Sequence, residues 1–305
     1  MGIVNQSDLS DILAQMNAVY STEYEAAFQN AQTYMDPLIE TINTASDTYK
    51  RVWITAVPKL RKALGSRLIK NLELEAYATQ TADFEATVGI PRATVLSDQW
   101  NMFTPAIKGL AVAAKRHVDQ LLKSELQGGK VKLTFDGQPF FSTAHDLDVA
   151  GSQANLLTST ALTPANFATA VATMRSYTDN QSQPIGVEPK FLVVPPALEK
   201  AGRDIVMAAL IPNAAGTATQ TNTYQGLVGL IVNPLLSNEP TVWYLTGDVN
   251  GIMPVAHIVF LPPNLVAKTS PSDENVFNNF QYEYGVDTND DVSLGLWFQM
   301  IRCEG

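Results

Sequence analysis

Apolar and polar residues alternate along this chain at two different periods, and each change of period marks an element. Leu72-Glu73-Leu74-Glu75-Ala76-Tyr77 alternates at period two, and so does Phe84-Glu85-Ala86-Thr87-Val88-Gly89-Ile90. With the polar joint Ala78 to Asp83 between them, the two runs predict a β-hairpin. Neither run has a second apolar face, and an isolated two-stranded hairpin is marginal in water. The clearest helical period follows. Ile107, Leu110, Ala111, Ala114, Val118, Leu121, Leu122 and Leu126 fall on one stripe. Thr104 is placed to cap this helix, Pro105 to open it and Gly128-Gly129 to end it. Pro105 to Gln127 would run about 35 Å, the length of a strut.

Elsewhere the pattern is weaker. Up to Ser46 the stripes are thin, with short helices expected at Ser10 to Gln15 and Thr22 to Met35, in an arm ordered by its neighbours. Thr163-Pro164 repeats the cap-then-proline start, with Phe167, Val171, Met174 and Tyr177 on the buried side. Phe191 to Val194 reads as a short buried strand, and Pro196 opens a helix through Leu210. Ala214 to Asn222 is a polar loop. Leu227 to Val232, Val242 to Leu245 and His257 to Leu261 are strand candidates. Phe277 to Val286 and Val292 to Arg302 read as longer strands joined by an acidic turn, Asp287 to Asp291. Elements so segregated predict an α+β fold rather than a doubly wound sheet.

Charge narrows the function. The chain has 305 residues, a formal net charge of −10 and 16% charged residues, against about 25% in typical domains. That balance argues against a nucleic-acid reader or a binder of anionic membranes. A low-charge exterior suits a protein covered by partners. The single Cys303 excludes an intrachain disulfide and fits synthesis in a reducing cytoplasm. No secretory signal is visible, and the apolar runs are too short to span a bilayer.

No catalytic constellation stands out. Gly128-Gly129-Lys130 lacks the upstream glycine of a phosphate loop, and no Gly-x-Ser-x-Gly or His-Glu-x-x-His run occurs. His145, Asp146 and Asp148 can be drawn as a metal cluster, but their spacing suits a loop with a locally bonded histidine better. Cys303 reads as buried filler rather than a nucleophile. His117 is expected to be half-exposed on the long helix, and His257 to open an apolar strand. Neither an enzyme activity nor a cofactor or metal is expected.

Three segments resemble one family. Tyr49, Trp53, Pro58, Leu60, Gly65 and Arg67 resemble the Tyr-x-Trp … Pro-x-Leu … Gly-x-Arg stretch of Mu-like phage major head subunits. Phe84 to Arg92 is similar to their Phe-Glu-x-Thr-Val-Gly-Ile-x-Arg run. Asp136-Gly137-Gln138-Pro139-Phe140-Phe141 with His145 is similar to their Asp-Gly-x-x-Phe-Phe … His segment. The chain departs from the pattern in its wider Tyr49–Trp53 spacing, in Ala63 where tryptophan is usual, and in Asp146 where proline is common. The resemblance covers about Tyr49 to His145.

It implies the Hong Kong 97-type major capsid fold of tailed phages: an amino-terminal arm (1–48), an extended-loop hairpin with its root (49–97), a peripheral domain with a spine helix (98–160), an axial domain (161–250) and return strands of the peripheral domain (251–305). It also implies a subunit that self-assembles through hexamers and pentamers into an icosahedral shell around double-stranded DNA. Scaffold, portal and decoration proteins would be partners, DNA would be touched non-specifically and no membrane would be involved. Assembly would take place in the host bacterial cytoplasm, and the product would be the virion capsid. A non-viral, encapsulin-like shell of the same fold is the alternative, with a soluble enzyme behind it.

One further expectation combines charge with the extended-loop and peripheral-domain roles that the resemblance implies. Between Lys50 and Lys70 stand seven cations and no acid, whereas between Lys268 and Arg302 stand six acids and no cation. Opposite charges meeting across a subunit boundary would fix register, and two independently solvated faces are the alternative. The expected contact residues are Lys59, Arg61, Lys62, Arg67, Glu73, Glu75, Tyr77, Phe84, Asp287, Asp290 and Asp291.

Overall fold

The computed structural model describes residues 6–54, 74–97, 99–134, 136–146, 151–180, 182–212, 219–249 and 251–305. In chain order the first half holds α1 (Gln6–Asn30), β1 (Ile39–Asn43), β2 (Thr48–Ile54), β3 (Leu74–Gln80), β4 (Ala82–Pro91), α2 (Arg92–Leu96), α3 (Thr104–Gly128), β5 (His145–Asp146), β6 (Ser152–Gln153) and β7 (Leu156–Leu157). The second half holds α4 (Pro164–Ser176), β8 (Glu188–Val194), α5 (Glu199–Val206), β9 (Leu210–Pro212), β10 (Thr219–Thr221), β11 (Gly229–Val232), β12 (Val242–Asp248), β13 (Val255–Lys268), α6 (Glu274–Asn279), β14 (Gln281–Leu294) and β15 (Met300–Glu304).

Two larger sheets organise the described residues. One has the order β1-β13-β14-β4, the other β11-β8-β12-β15-β7. Each has its own core. Against the first pack Leu9, Leu13, Met16, Tyr20 and Tyr24 of α1 and Ile107, Leu110 and Ala111 of α3, facing Tyr282, Tyr284 and Val286. Around the second gather Phe167, Val171 and Met174 of α4, Trp243, Trp297 and the apolar face of β8. The carboxy-terminal half of α3, through Val118, Leu122 and Leu126, belongs to this second core. One helix therefore spans both cores, as the strut reading requires.

The long helix matches its predicted stripe, but Thr104 lies inside it and Phe103 takes the cap position without a side-chain hydrogen bond. Thr163 does cap α4, accepting from the Asn166 amide at 3.2 Å. The amino-terminal region departs from expectation. Instead of two short helices it forms one of 25 residues. Its stripe is narrow because it carries one side chain per turn. Two tyrosines, Tyr20 and Tyr24, complete it, and the Tyr20 hydroxyl is satisfied by donating to the Trp100 carbonyl at 2.6 Å.

Two β expectations are corrected. The alternating runs at 72–77 and 84–90 do not pair with each other. β3 pairs antiparallel with β2, Thr48 opposite Gln80 and Ile54 opposite Leu74. β4 pairs antiparallel with β14 over ten residues, and Ile90 is fully buried beneath it. Alternation identifies a half-buried strand but carries no information about its partner. Nor do Asp287 to Asp291 form a turn. They lie inside β14, which runs unbroken against β13 from Glu283–Lys268 to Leu294–Val255, with register shifts beside Pro262 and Pro263. The stretch from Glu274 to Asn279 is helical rather than the start of a strand, and β14 ends at Leu294 before β15 begins at Met300.

Candidate assembly surface

Among the expected contact residues, Lys59, Arg61, Lys62, Arg67 and Glu73 lie outside the described residues. Glu75 and Tyr77 sit in β3, opposite Trp53 and Arg51. Phe84 turns inward from β4 and lays its ring on His117 of α3, 4.3 Å between centroids. The three acids of β14 separate. Asp287 is exposed, Asp291 is half-buried, and Asp290 is only 2% exposed. One Asp290 oxygen is 2.7 Å from His257 Nε2, and the other is 3.5 Å from His117 Nε2. Asp290 is therefore committed to its own subunit. Burial lowers the pKa of His117 against the opposing pull of Asp290, and it raises that of Asp291.

Three buried polar joints tie the subunit together, two of them on α3, and sequence reasoning found only part of one. The first explains the Asp-Gly-x-x-Phe-Phe … His segment. His145, with no exposed surface, faces Asp136 Oδ2 through Nδ1 at 2.5 Å and Asn155 Oδ1 through Nε2 at 3.0 Å. Its ring stacks on Trp297, 4.2 Å away and 6° from parallel. Gly137 supplies the left-handed turn, φ 74°, that returns the chain. Asn155 donates to the carbonyls of Phe140, Trp297 and Met300 and accepts from the Ser142 amide. Burial pushes the Asp136 carboxyl up, but hydrogen bonds from His145 and the Gln138 amide outweigh it and hold it below the ordinary value.

The second joint centres on Arg302, 3% exposed in β15. It donates to Glu239 at 2.7 Å, Glu304 at 2.8 Å and the Tyr244 hydroxyl at 2.6 Å. Lys130, just beyond α3, completes the cluster on Glu304 at 3.0 Å. In the third, Asp119 on the buried side of α3 accepts from the amides of Tyr34 and Met35 and so fixes the turn after α1. Burial raises its pKa. Asp119 and Glu125 interrupt the apolar stripe, a signal visible in the sequence. Asn155 and Arg302 gave none.

Reactive chemistry is not what these groups offer. Both ring nitrogens of His145 are engaged, and no cluster of metal-ligand type occurs among the described residues. Burial pushes the Cys303 thiol far up, away from the nucleophilic thiolate. No helix among the described residues is long and apolar enough to cross a membrane.

What a single chain leaves unfinished is its strands. β2 and β3 pair with each other and with no other described strand, and the outer edge of β4 meets no described strand. Comparison with known proteins gives these features a setting. The chain is 22% identical to the major capsid protein of Escherichia phage Mu over 283 residues, which cover 93% of this chain and 70% of that protein. It is 22% identical to the Mu-like prophage FluMu major head subunit of Haemophilus influenzae, covering 86% of this chain and 62% of that one. Among solved structures, the procapsid of bacteriophage JBD30 matches with a TM-score of 0.56 at 20% identity, over 97% of this chain and 75% of that chain. The encapsulin of Synechococcus elongatus matches at 0.51 and 13% identity, over 89% and 86%. At such identities these likenesses establish the fold, which is the Hong Kong 97 type. The family described as Mu-like prophage major head subunit gpT matches residues 13–161, 152–236 and 237–304, and the chain belongs to that family.

Proposed function

We propose that this chain self-assembles, through rings of five and six subunits, into the icosahedral shell of a tailed phage that encloses its double-stranded DNA. Beyond membership of the head-subunit family, the observation that carries this reading is the unfinished state of β2, β3 and β4 in one subunit. A two-stranded ribbon without further partners is marginal alone, and neighbouring copies would complete it. The buried polar joints serve the same end, since a subunit that tiles a shell needs a rigid body. In this reading residues 1–48 act as the arm, the β2–β3 hairpin is the extended loop, and α3 is the spine of the peripheral domain. The second sheet forms the axial domain, and β13 to β15 provide the return. Scaffold, portal and decoration proteins are the expected partners, with assembly in the bacterial cytoplasm and residence in the virion. The encapsulin-like alternative shares the fold, but the family match over nearly the whole chain favours the phage head. Sedimentation of the purified protein tests the proposal. Shell-sized particles are expected, and a persistent 33.2 kDa monomer, with or without a co-expressed scaffold, would overturn it.

A further inference from the structure

A cavity of about 210 Å³ lies where α3 and the end of α1 meet β1 and β13. Phe28, Val118, Val259, Pro262 and Pro263 give it apolar walls, and Asp36, Thr41, Lys115, His257 and Asp290 supply its polar lining. A water molecule's share of liquid volume is about 30 Å³, so the space has room for a short aliphatic chain.

Asp290 stands out in this lining. It is only 2% exposed. Its Oδ2 is 2.7 Å from His257 Nε2. Its Oδ1 is buried without a hydrogen-bond partner, because His117 Nε2, at 3.5 Å, makes no bond to it and is itself unpartnered. A buried carboxylate oxygen without a donor costs more than a hydrogen bond gains. The one cation of the lining, Lys115, places its Nζ over the Phe28 ring at 5.2 Å and forms no ion pair with an acid among the described residues.

These features select a ligand class. A hard metal ion takes about six or more oxygen ligands, and no cluster of metal-ligand type occurs among the described residues. A guanidinium is matched by both oxygens of a carboxylate, and Oδ2 of Asp290 is already engaged. An ammonium is a compact point charge that a single oxygen can hold. An aliphatic stem behind it suits the apolar walls.

We propose that this cavity binds an alkylammonium group, with its N–H donating to Asp290 Oδ1 and its carbon stem packed against Val259 and Pro263. The bound group would satisfy the orphaned oxygen and brace α3 against the β1 edge of the first sheet. A free alkylamine and a lysine side chain of another polypeptide share this chemistry.

Thermal melting of the purified protein with three additives tests the assignment. Butylammonium chloride should raise the melting temperature by at least about 2 °C at saturation. Tetramethylammonium chloride carries the charge without an N–H, and butan-1-ol carries the stem without the charge, so neither should do so. Asp290→Asn should weaken butylammonium binding at least about tenfold by calorimetric titration. Thr41 is exposed on β1 and lines the cavity, so Thr41→Trp should block binding without touching Asp290, and it decides the matter should Asp290→Asn fail to fold. Titration with 1,4-diaminobutane and with a short lysine-containing peptide separates the sources: tighter binding of the diamine assigns a free amine, and tighter binding of the peptide assigns a polypeptide. No response to butylammonium, equal shifts from all three additives, or a response that survives in every folded variant would overturn the proposal.

Discussion

Asn155 bears more on the packing of this subunit than any residue its sequence advertises. It satisfies the carbonyls of Phe140, Trp297 and Met300 and the amide of Ser142, which would otherwise be left buried and unpaired. Unsatisfied buried groups cost more than a hydrogen bond gains. Asn155→Ala is therefore expected to lower subunit stability by about 2–4 kcal/mol, read from the urea midpoint, and a loss under about 1 kcal/mol would contradict this role. His117 sets a pH dependence of known sign. Its pKa is lowered from 6.5 chiefly by burial, so its contribution is whole above 6.5 and is lost as pH falls through the lowered value. Asp136, also lowered, acts in the same direction further into acid. Asp119, Glu125 and Asp291 are raised, and their contributions run the other way. Replacing His117 by Gln should flatten the loss of stability between about pH 7 and pH 5, and identical slopes in parent and variant would refute the assignment.

At the scale of elements, the hairpin is where sequence and structure part, and the difference changes an experiment. Removing the alternating runs at 72–90 would delete most of β4, a strand of the first sheet with Ile90 in its core, and should unfold the subunit. Removing Thr48 to Gln80 instead takes out only the β2–β3 pair and the residues between. Thr81 donates to the Asp47 carbonyl at 2.8 Å, so a short glycine linker can join the ends. That variant is expected to melt cooperatively and to form no shells. Loss of the cooperative transition would place the hairpin in the core. The long helix was legible because eight apolar residues keep one period. α1 was half legible, since its stripe of Leu9, Leu13, Met16, Tyr20 and Tyr24 carries one side chain per turn. The pairing of β4 was not legible, because its partner lies about two hundred residues away, opposite it only in three dimensions. Arg302 and Asn155 escaped for the same reason, bonded across 63 and 145 residues.

For the whole molecule, the separation of basic and acidic segments survives in altered form. Asp290 is buried and Asp291 half-buried, so the acids expected to meet a neighbour are largely held within the subunit. Asp287 is exposed, as are Asp83 and Glu85 on β4. One helix contributes to both cores, and β2 and β3 pair with no other described strand. The most direct test of this account is electron cryo-microscopy of particles from cells expressing the chain. Closed shells are predicted, with fivefold and sixfold rings of this subunit and each β2–β3 hairpin lying on a neighbouring copy. A monomer whose hairpin folds back on its own sheet would contradict it.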